Sequence, residues 1–346
     1  MNISEKSFTR RSYRSKTAGV MMILGVLLIL SFLLSVLFGS TGAKLTDAVR
    51  AFISGNYTDA SLRIILYIRL PRAVAAVLAG AALSVSGVII QAVLNNSMAS
   101  PNIIGVNSGA GLAVSIVVAI FPFMADYLPI AAFFGALSSC MLIYFISART
   151  NSSRLTITLV GISISSILSA GINAVRTIFP DSIYNTNTFM VGGFSGVSFA
   201  DISFAWKFIL AGILFSVFLG KDIDILSLGE ESAMSLGMNV KMKRFILRAT
   251  ASILAGSAVS FAGLLGFVGL LGPHISRRIC PSSHRSLIPI SALIGGIIVS
   301  ICDLIGRVIF APYELPVGII MSFVGGPFFI GLILMGRKSR VYDQVM

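Results

Sequence analysis

The 346-residue chain is 56% hydrophobic and only 11% charged, with a mean hydropathy of +0.94, where a soluble domain carries about 25% charged residues. This excludes a water-soluble globular protein and leaves no room for a soluble catalytic domain. Lys and Arg number 26 against 13 acids, an excess that in a membrane protein bears on topology and lipid contact rather than on nucleic acid.

A membrane-spanning helix needs about 20 apolar residues. The apolar runs between polar or Pro/Gly breaks predict ten spans, at 18–39, 70–94, 103–121, 128–146, 155–179, 202–220, 245–264, 265–279, 287–305 and 317–335. Before the first lie five basic residues, Lys6, Arg10, Arg11, Arg14 and Lys16. The run that follows is longer than the apolar region of a cleaved signal, so an uncleaved span is expected, the alternative being a signal cut near 40–43. No polar loop divides the seventh span from the eighth; only Gly263, Gly266 and Gly269 mark a turn there.

With the N-terminus inside, the cytoplasmic segments collect 18 basic residues and the outer ones 8, which puts both ends in the cytoplasm. The chain is thus expected to be one all-α polytopic membrane domain, 1–346, with a cytoplasmic basic tail at 1–17 and its longest internal cytoplasmic segment at 221–244. Residues 72–89 (RAVAAVLAGAALSVSGVI) match residues 248–265 (RATASILAGSAVSFAGLL) at 9 of 18 positions. Five spans separate the copies, so they form an inverted repeat, spans 2–5 against spans 7–10, a device of many transporters.

The acids, Asp303 and Glu314 among them, are read as lying in loops or near span boundaries. A proton- or sodium-coupled carrier usually shows an ionisable residue inside a span, so the energy source is expected on a partner. No GxxxxGK[ST] phosphate loop occurs. His274 and His284 suggest no catalytic pairing, and Cys140, Cys280 and Cys302 lack metal-ligand spacing and read as packing residues. No catalytic, cofactor-binding or metal-binding residue is assigned.

Three groups of polar residues remain. In 228–237 (LGEESAMSLG), Glu230, Ala233, Met234 and Gly237 recur at helical spacing, which suits a surface helix in a partner's groove or one skimming the membrane. Outside, Arg69, Arg72 and Arg307 either offer guanidinium groups to a docking protein's carboxylates or snorkel and pair locally, as Asp303 with Arg307 at i, i+4. Ser163, Ser166, Ser169 and Asn173 share one side of the fifth span, lining a passage or, the better reading from spacing alone, packing helices; Gly80, Ser84 and Gly87 serve close helix contact.

Several ordered motifs resemble the FecCD-type permeases of iron-siderophore, haem and cobalamin ABC importers. They are RLPRAVAAVLAGAALSVSGVIIQ (69–91), PNIIGVNSGAG (101–111), LGEESAMSLG (228–237), GFVGLLGPHISR (266–277), and ELPVG with GGPFFI (314–330). The resemblance implies ten spans per subunit, a second permease subunit, two cytoplasmic ATPases that hold the ATP, and an extracytoplasmic substrate-binding protein, all at a bacterial cytoplasmic membrane. It makes Arg69, Arg72 and Arg307 docking residues, and Gly229, Glu230, Ser232, Ala233, Leu236 and Gly237 part of an ATPase-coupling helix. Asn96, Met98, Asn151, Ser152 and Ser153 become a cytoplasmic gate, and the stripe of the fifth span the pathway lining. Ser97 stands where the family has proline, which predicts a looser turn, and Ser283-His284-Arg285 replaces Asp-His-Arg. The expected cargo is a ferric siderophore, with haem or cobalamin as alternatives. The rivals of other classes are an ion-coupled secondary carrier and a non-transporting receptor or scaffold.

Overall fold

The computed structural model describes residues 3–40, 42, 45–149, 154–280 and 283–342. The expected gate residues Asn151, Ser152 and Ser153 lie outside them. In chain order the helices are α1 (Ile3–Leu37), α2 (Leu45–Ile53), α3 (Ala60–Ile64), α4 (Leu70–Val93), α5 (Val106–Ile120), α6 (Leu128–Arg149), α7 (Arg154–Ile178) and α8 (Ser182–Val191). There follow α9 (Phe199–Phe218), α10 (Gly220–Ser227), α11 (Glu230–Ser235), α12 (Val240–Ala262), α13 (Val268–Ile279), α14 (His284–Val308) and α15 (Val317–Tyr342).

Seven of the described stretches are long and apolar enough to cross a membrane, and Val106–Ile120 and Val317–Leu332 are shorter apolar helices. Together they occupy nine of the ten expected positions. The eighth holds α13, whose 12 residues reach about 18 Å, little more than half the hydrocarbon core. The cause is a break at 263–267, where Gly263 and Phe267 take φ of 68° and 64°. Non-helical backbone survives at membrane depth only where its polar groups find partners. Here Leu264 N–H donates to Phe189 O (3.0 Å), Gly193 N–H to Ala262 O (2.8 Å) and Gly318 N–H to Gly192 O (3.0 Å), so α8, the break and the start of α15 close on one another.

The second span starts ten residues earlier than expected, as one continuous stretch Ala60–Val93. Pro71 reads as a helix start because it lacks an N–H and crowds the preceding turn. A π turn at Ile65–Arg69, in which Leu70 N–H donates to Ile65 O, lets the helix run through.

α4 is the core of the bundle, and it crosses its neighbours where small residues let backbones meet. A Cβ on Gly80 would stand 2.2 Å from Gly295 O of α14, and one on Gly87 would stand 2.0 Å from Gly269 O of α13. Ser84 and Ser291 hydroxyls bond at 2.8 Å. The pairs 72–303, 80–295 and 84–291 run antiparallel. In the second copy α12 crosses α6 in the same sense, with Gly256 against Ala136 and Phe245 and Arg248 against Tyr144. The first helix of each repeat therefore packs on the third helix of the other, as an inverted duplication requires.

Candidate functional site

At one end of the bundle two of the three singled-out arginines, Arg72 and Arg307, converge on Asp303, and the third, Arg69, joins the end of α1 beside them. Arg72 Nε lies 3.1 Å from both Asp303 carboxylate oxygens and its Nη2 donates to Oδ1 at 3.0 Å, while Nη1 binds Glu314. Arg307 Nε is 3.1 Å from Asp303 Oδ2. Its other nitrogens donate to Ser35 Oγ (2.6 Å), Ser35 O (3.1 Å) and Phe38 O (3.3 Å). Arg69 donates to Leu37 O at 2.7 Å. Two guanidinium groups thus satisfy the carbonyls left open at the end of α1, where the helix dipole also favours cations. The first helix is bonded into the fold through its own terminus.

This corrects the picture of exposed guanidinium groups. Arg69, Arg72 and Arg307 are 3%, 5% and 2% exposed, and Asp303 is 0% exposed. The ten extra residues of the second span carry Arg69 and Arg72 inside the helix, under the end of α1 and the 309–316 loop. The local Asp303–Arg307 pair exists, but as one arm of a cluster of three cations and two carboxylates. Asp303 also corrects the boundary assignment of the acids: it is buried within a spanning helix. It is fully paired there, so it does not present the free carboxylate of an ion-coupled carrier.

Glu314, in the loop after α14, is the most exposed member, with its side chain 27% accessible. Burial pushes its pKa up, but hydrogen bonds from Ser40 and Arg72 prevail and hold it below the usual carboxylate range. The stabilisation from ionised Glu314 is then complete above the ordinary value of about 4.3 and is lost as pH falls through the lowered one. Thermal unfolding of wild type and Glu314→Gln in detergent should show a constant gap from pH 7 to about 5 that closes on further acidification; a gap independent of pH would refute this linkage.

At the opposite end, α10, α11 and the start of α12 form a compact ledge. Gly229 and Gly237 frame α11 with φ of 106° and 79°, and open space surrounds both, so conformation rather than crowding calls for glycine. Of the expected coupling residues, Ser232, Leu236 and Gly237 are exposed, whereas Ala233 is completely buried against the protein's own bundle. Glu230 is half exposed and pairs with Arg244 at 2.9 Å on the surface, a contact worth little by itself. Ala233 therefore fixes the helix in place. The outward knobs are Leu228, Met234 and Leu236, 63%, 54% and 65% exposed. Lys243 pairs with Asp222 (2.6 Å), and His284 binds Asp224 through its backbone N–H (3.0 Å) and Nδ1 (2.6 Å). The spacing of 228–237 points to a surface helix; the packed position of Ala233 is visible only with α10 and α12 in place.

Asn96, Ser97 and Met98 lie exposed in the turn after α4. The Asn96 side chain accepts from Met98 N–H (2.9 Å), and Asn96 N–H donates to Gln91 O (2.9 Å). An asparagine turn thus supplies the closure expected to be missing without proline.

Along α7, Ser163, Ser166, Ser169 and Asn173 are all exposed. Packing uses other positions: a Cβ on Gly161 would stand 2.2 Å from Ile103 O, and Ile172 Cδ1 is 3.1 Å from the place of one on Gly111 of α5. Within this chain the stripe is left exposed. A polar face on a helix whose bundle leaves it uncovered can border water or a second protein, since lipid offers its hydroxyl and amide groups no partners. On α15, the helix matching α7 in the repeat, Ser322 and Phe323 are exposed and Gly326 faces open space. Cys140, Cys280 and Cys302 are buried, and among the described residues none of them is in a disulfide.

The profile of the FecCD transport family matches residues 27–335. The chain is 37% identical to the Fe(3+)-citrate import system permease protein YfmE of Bacillus subtilis, over 97% of this chain and 100% of that one. It is 33% identical to the hemin transport system permease protein HmuU of Yersinia pestis, over 92% and 97% of the two chains. With the iron(3+)-hydroxamate import system permease protein FhuG of Bacillus subtilis it shares 32%, over 91% and 96%. Among solved structures, an ABC transporter described as of metal-chelate type, in an inward-facing conformation, superposes with a TM-score of 0.81 at 25% identity, covering 92% of this chain and 99% of that one.

Proposed function

The chain belongs to the FecCD transport family and is a multi-pass membrane permease subunit of an ATP-binding-cassette importer, a transport component and not an enzyme, and from that premise we propose its cargo, partners and working parts. The cargo is a ferric siderophore, with haem or cobalamin as the alternatives; relatives named for ferric citrate, ferric hydroxamate and hemin support the class. A second permease subunit covers the polar face of α7, so that Ser163, Ser166, Ser169 and Asn173 line the path between the two. Both termini and the α11 ledge lie in the cytoplasm of a bacterial cell, where Lys221, Lys241, Lys243 and Arg244 cluster, with Arg248 a turn deeper along α12.

Two ATPase subunits bind the ledge and hydrolyse ATP, and this chain binds no cofactor. The turn at Asn96 and Met98 closes the inner end of the path, together with 151–153. An extracytoplasmic binding protein docks at the arginine end. Its acidic side chain reaches Arg72 by displacing Glu314, the accessible carboxylate, while Asp303 keeps Arg72 and Arg307 in position.

The observation that carries this reading is the polar stripe left uncovered on α7. In proteoliposomes holding the complete transporter, uptake of a ferric chelate should require ATP and no ion gradient. Trp at Gly326 or Leu at Ser166, both facing open space and so harmless to folding, should cut uptake at least tenfold. Wild-type uptake in both variants, or uptake by this chain without the ATPase, would refute it.

A further inference from the structure

The inverted repeat equates Arg72 with Arg248, and the two ends of the protein treat them differently. Arg72 has two carboxylates. Arg248 has none: its guanidinium lies 5.7 Å from the centroid of the Tyr144 ring, and its Nε is out of contact with solvent and has no hydrogen-bond partner. The nearby acids are taken, Glu230 by Arg244 and Asp222 by Lys243. A guanidinium at membrane depth needs an anion, and among the described residues the protein supplies none.

Arg248 lines a cleft between α6 and α12 whose other walls include Ile104, Cys140, Tyr144, Phe245 and Ser252. Its enclosed depth, about 20 Å³, admits one water-sized group, so a larger ligand sits at the mouth. Beside the mouth, Phe145 of α6 is exposed, its ring 5.6 Å from that of Tyr144. Lys241 is exposed two turns away on the same face of α12. A cationic rim above an apolar helix surface suits a molecule with an anionic head and hydrocarbon tails, and basic pockets between helices on the cytoplasmic side are where phospholipid headgroups bind.

We propose that the phosphate of one anionic phospholipid, from the leaflet bordering the α11 end, binds Arg248 at this mouth, with its acyl chains along Phe145 and the apolar surface of α6. The lipid takes the place of the carboxylate pair that serves Arg72, and bridges α6 and α12.

The test is lipid retention by the full-length purified permease, delipidated and then exchanged into mixed phosphatidylglycerol and phosphatidylcholine, with bound lipid counted by native mass spectrometry. Wild type should keep one phosphatidylglycerol in preference to phosphatidylcholine. Arg248→Gln and the exposed variant Lys241→Gln should each weaken that preference about fivefold, the effect of one basic residue at a membrane surface. Arg278→Gln, an exposed arginine on the loop side of α13, should leave it unchanged. Unchanged preference in Arg248→Gln or Lys241→Gln, equal loss in Arg278→Gln, or full displacement by millimolar inorganic phosphate would overturn the proposal. The readout involves no cargo, ATP or partner, so its failure leaves the importer reading standing.

Discussion

Asp303→Asn should destabilise the permease by about 3–5 kcal/mol, the cost of removing one partner from a buried ion pair. The substitution keeps the side chain's shape and deletes only its charge, so packing at a position with 0% exposure is undisturbed. What it leaves behind is Arg72 and Arg307, both nearly sealed from water, with Glu314 as the one remaining carboxylate of the cluster. The strain falls on these ends of α1, α4 and α14, which the cluster ties together: Ser35 and Phe38 of the α1 end accept from Arg307, and Asp303 bridges Arg307 to Arg72. Denaturant or thermal unfolding in detergent measures the loss. The triple variant Arg72→Met, Asp303→Leu, Arg307→Met tests the cause, because replacing a whole buried ionic cluster by apolar side chains is often neutral. It should recover most of the stability lost by Asp303→Asn. A single variant within about 0.5 kcal/mol of wild type, the ordinary range of surface substitutions, would refute the clustering.

That cluster marks where sequence pattern stops informing. Hydropathy placed the helices because bilayer thickness imposes length and composition residue by residue. It is silent about α13, whose shortness depends on the backbone of Gly263 to Phe267 finding Phe189 and Gly192 as partners, groups far apart in the chain. The same holds at Pro71, a helix start by local rules that a π turn converts into a mid-helix residue. Asp303 reads as a boundary acid because it stands five residues from the end of α14; only the extension of the second span past Arg69 encloses it. The stripe on α7 was legible as a stripe, but packing and lining differ by what lies beyond it, and this chain's own close contacts run instead through Gly161 and Gly171, on the adjoining face. The repeat was legible because its shared glycines fall at helix crossings, Gly80 at one that leaves no room for a Cβ and Gly256 at a looser one, 3.3 Å from Ala136.

At the other end the largest functional effect should come from residues with no structural duty. Met234 and Leu236 are exposed on and just beyond a helix that is held from behind by Ala233. Changing both to Asp removes apolar surface from the outer side of the ledge and buries nothing new, so unfolding of the isolated permease should stay within about 0.5 kcal/mol of wild type. If the ledge seats in a groove of the ATPase, two anchors at the centre of that contact are worth about 2–4 kcal/mol. Copurification of the ATPase should then fall by roughly 30-fold to several hundred-fold, and ATP-driven uptake should be lost. Ala233→Asp supplies the contrast: it puts a charge into a fully buried position and should loosen the ledge in the isolated permease before any partner is added. Normal uptake in the Met234, Leu236 variant would separate the ledge from energy coupling. A shared folding defect in both variants would mean that the outward knobs belong to the core after all. The proposed division of labour, anchoring by Ala233 and transmission by Met234 and Leu236, requires the two measurements to move independently.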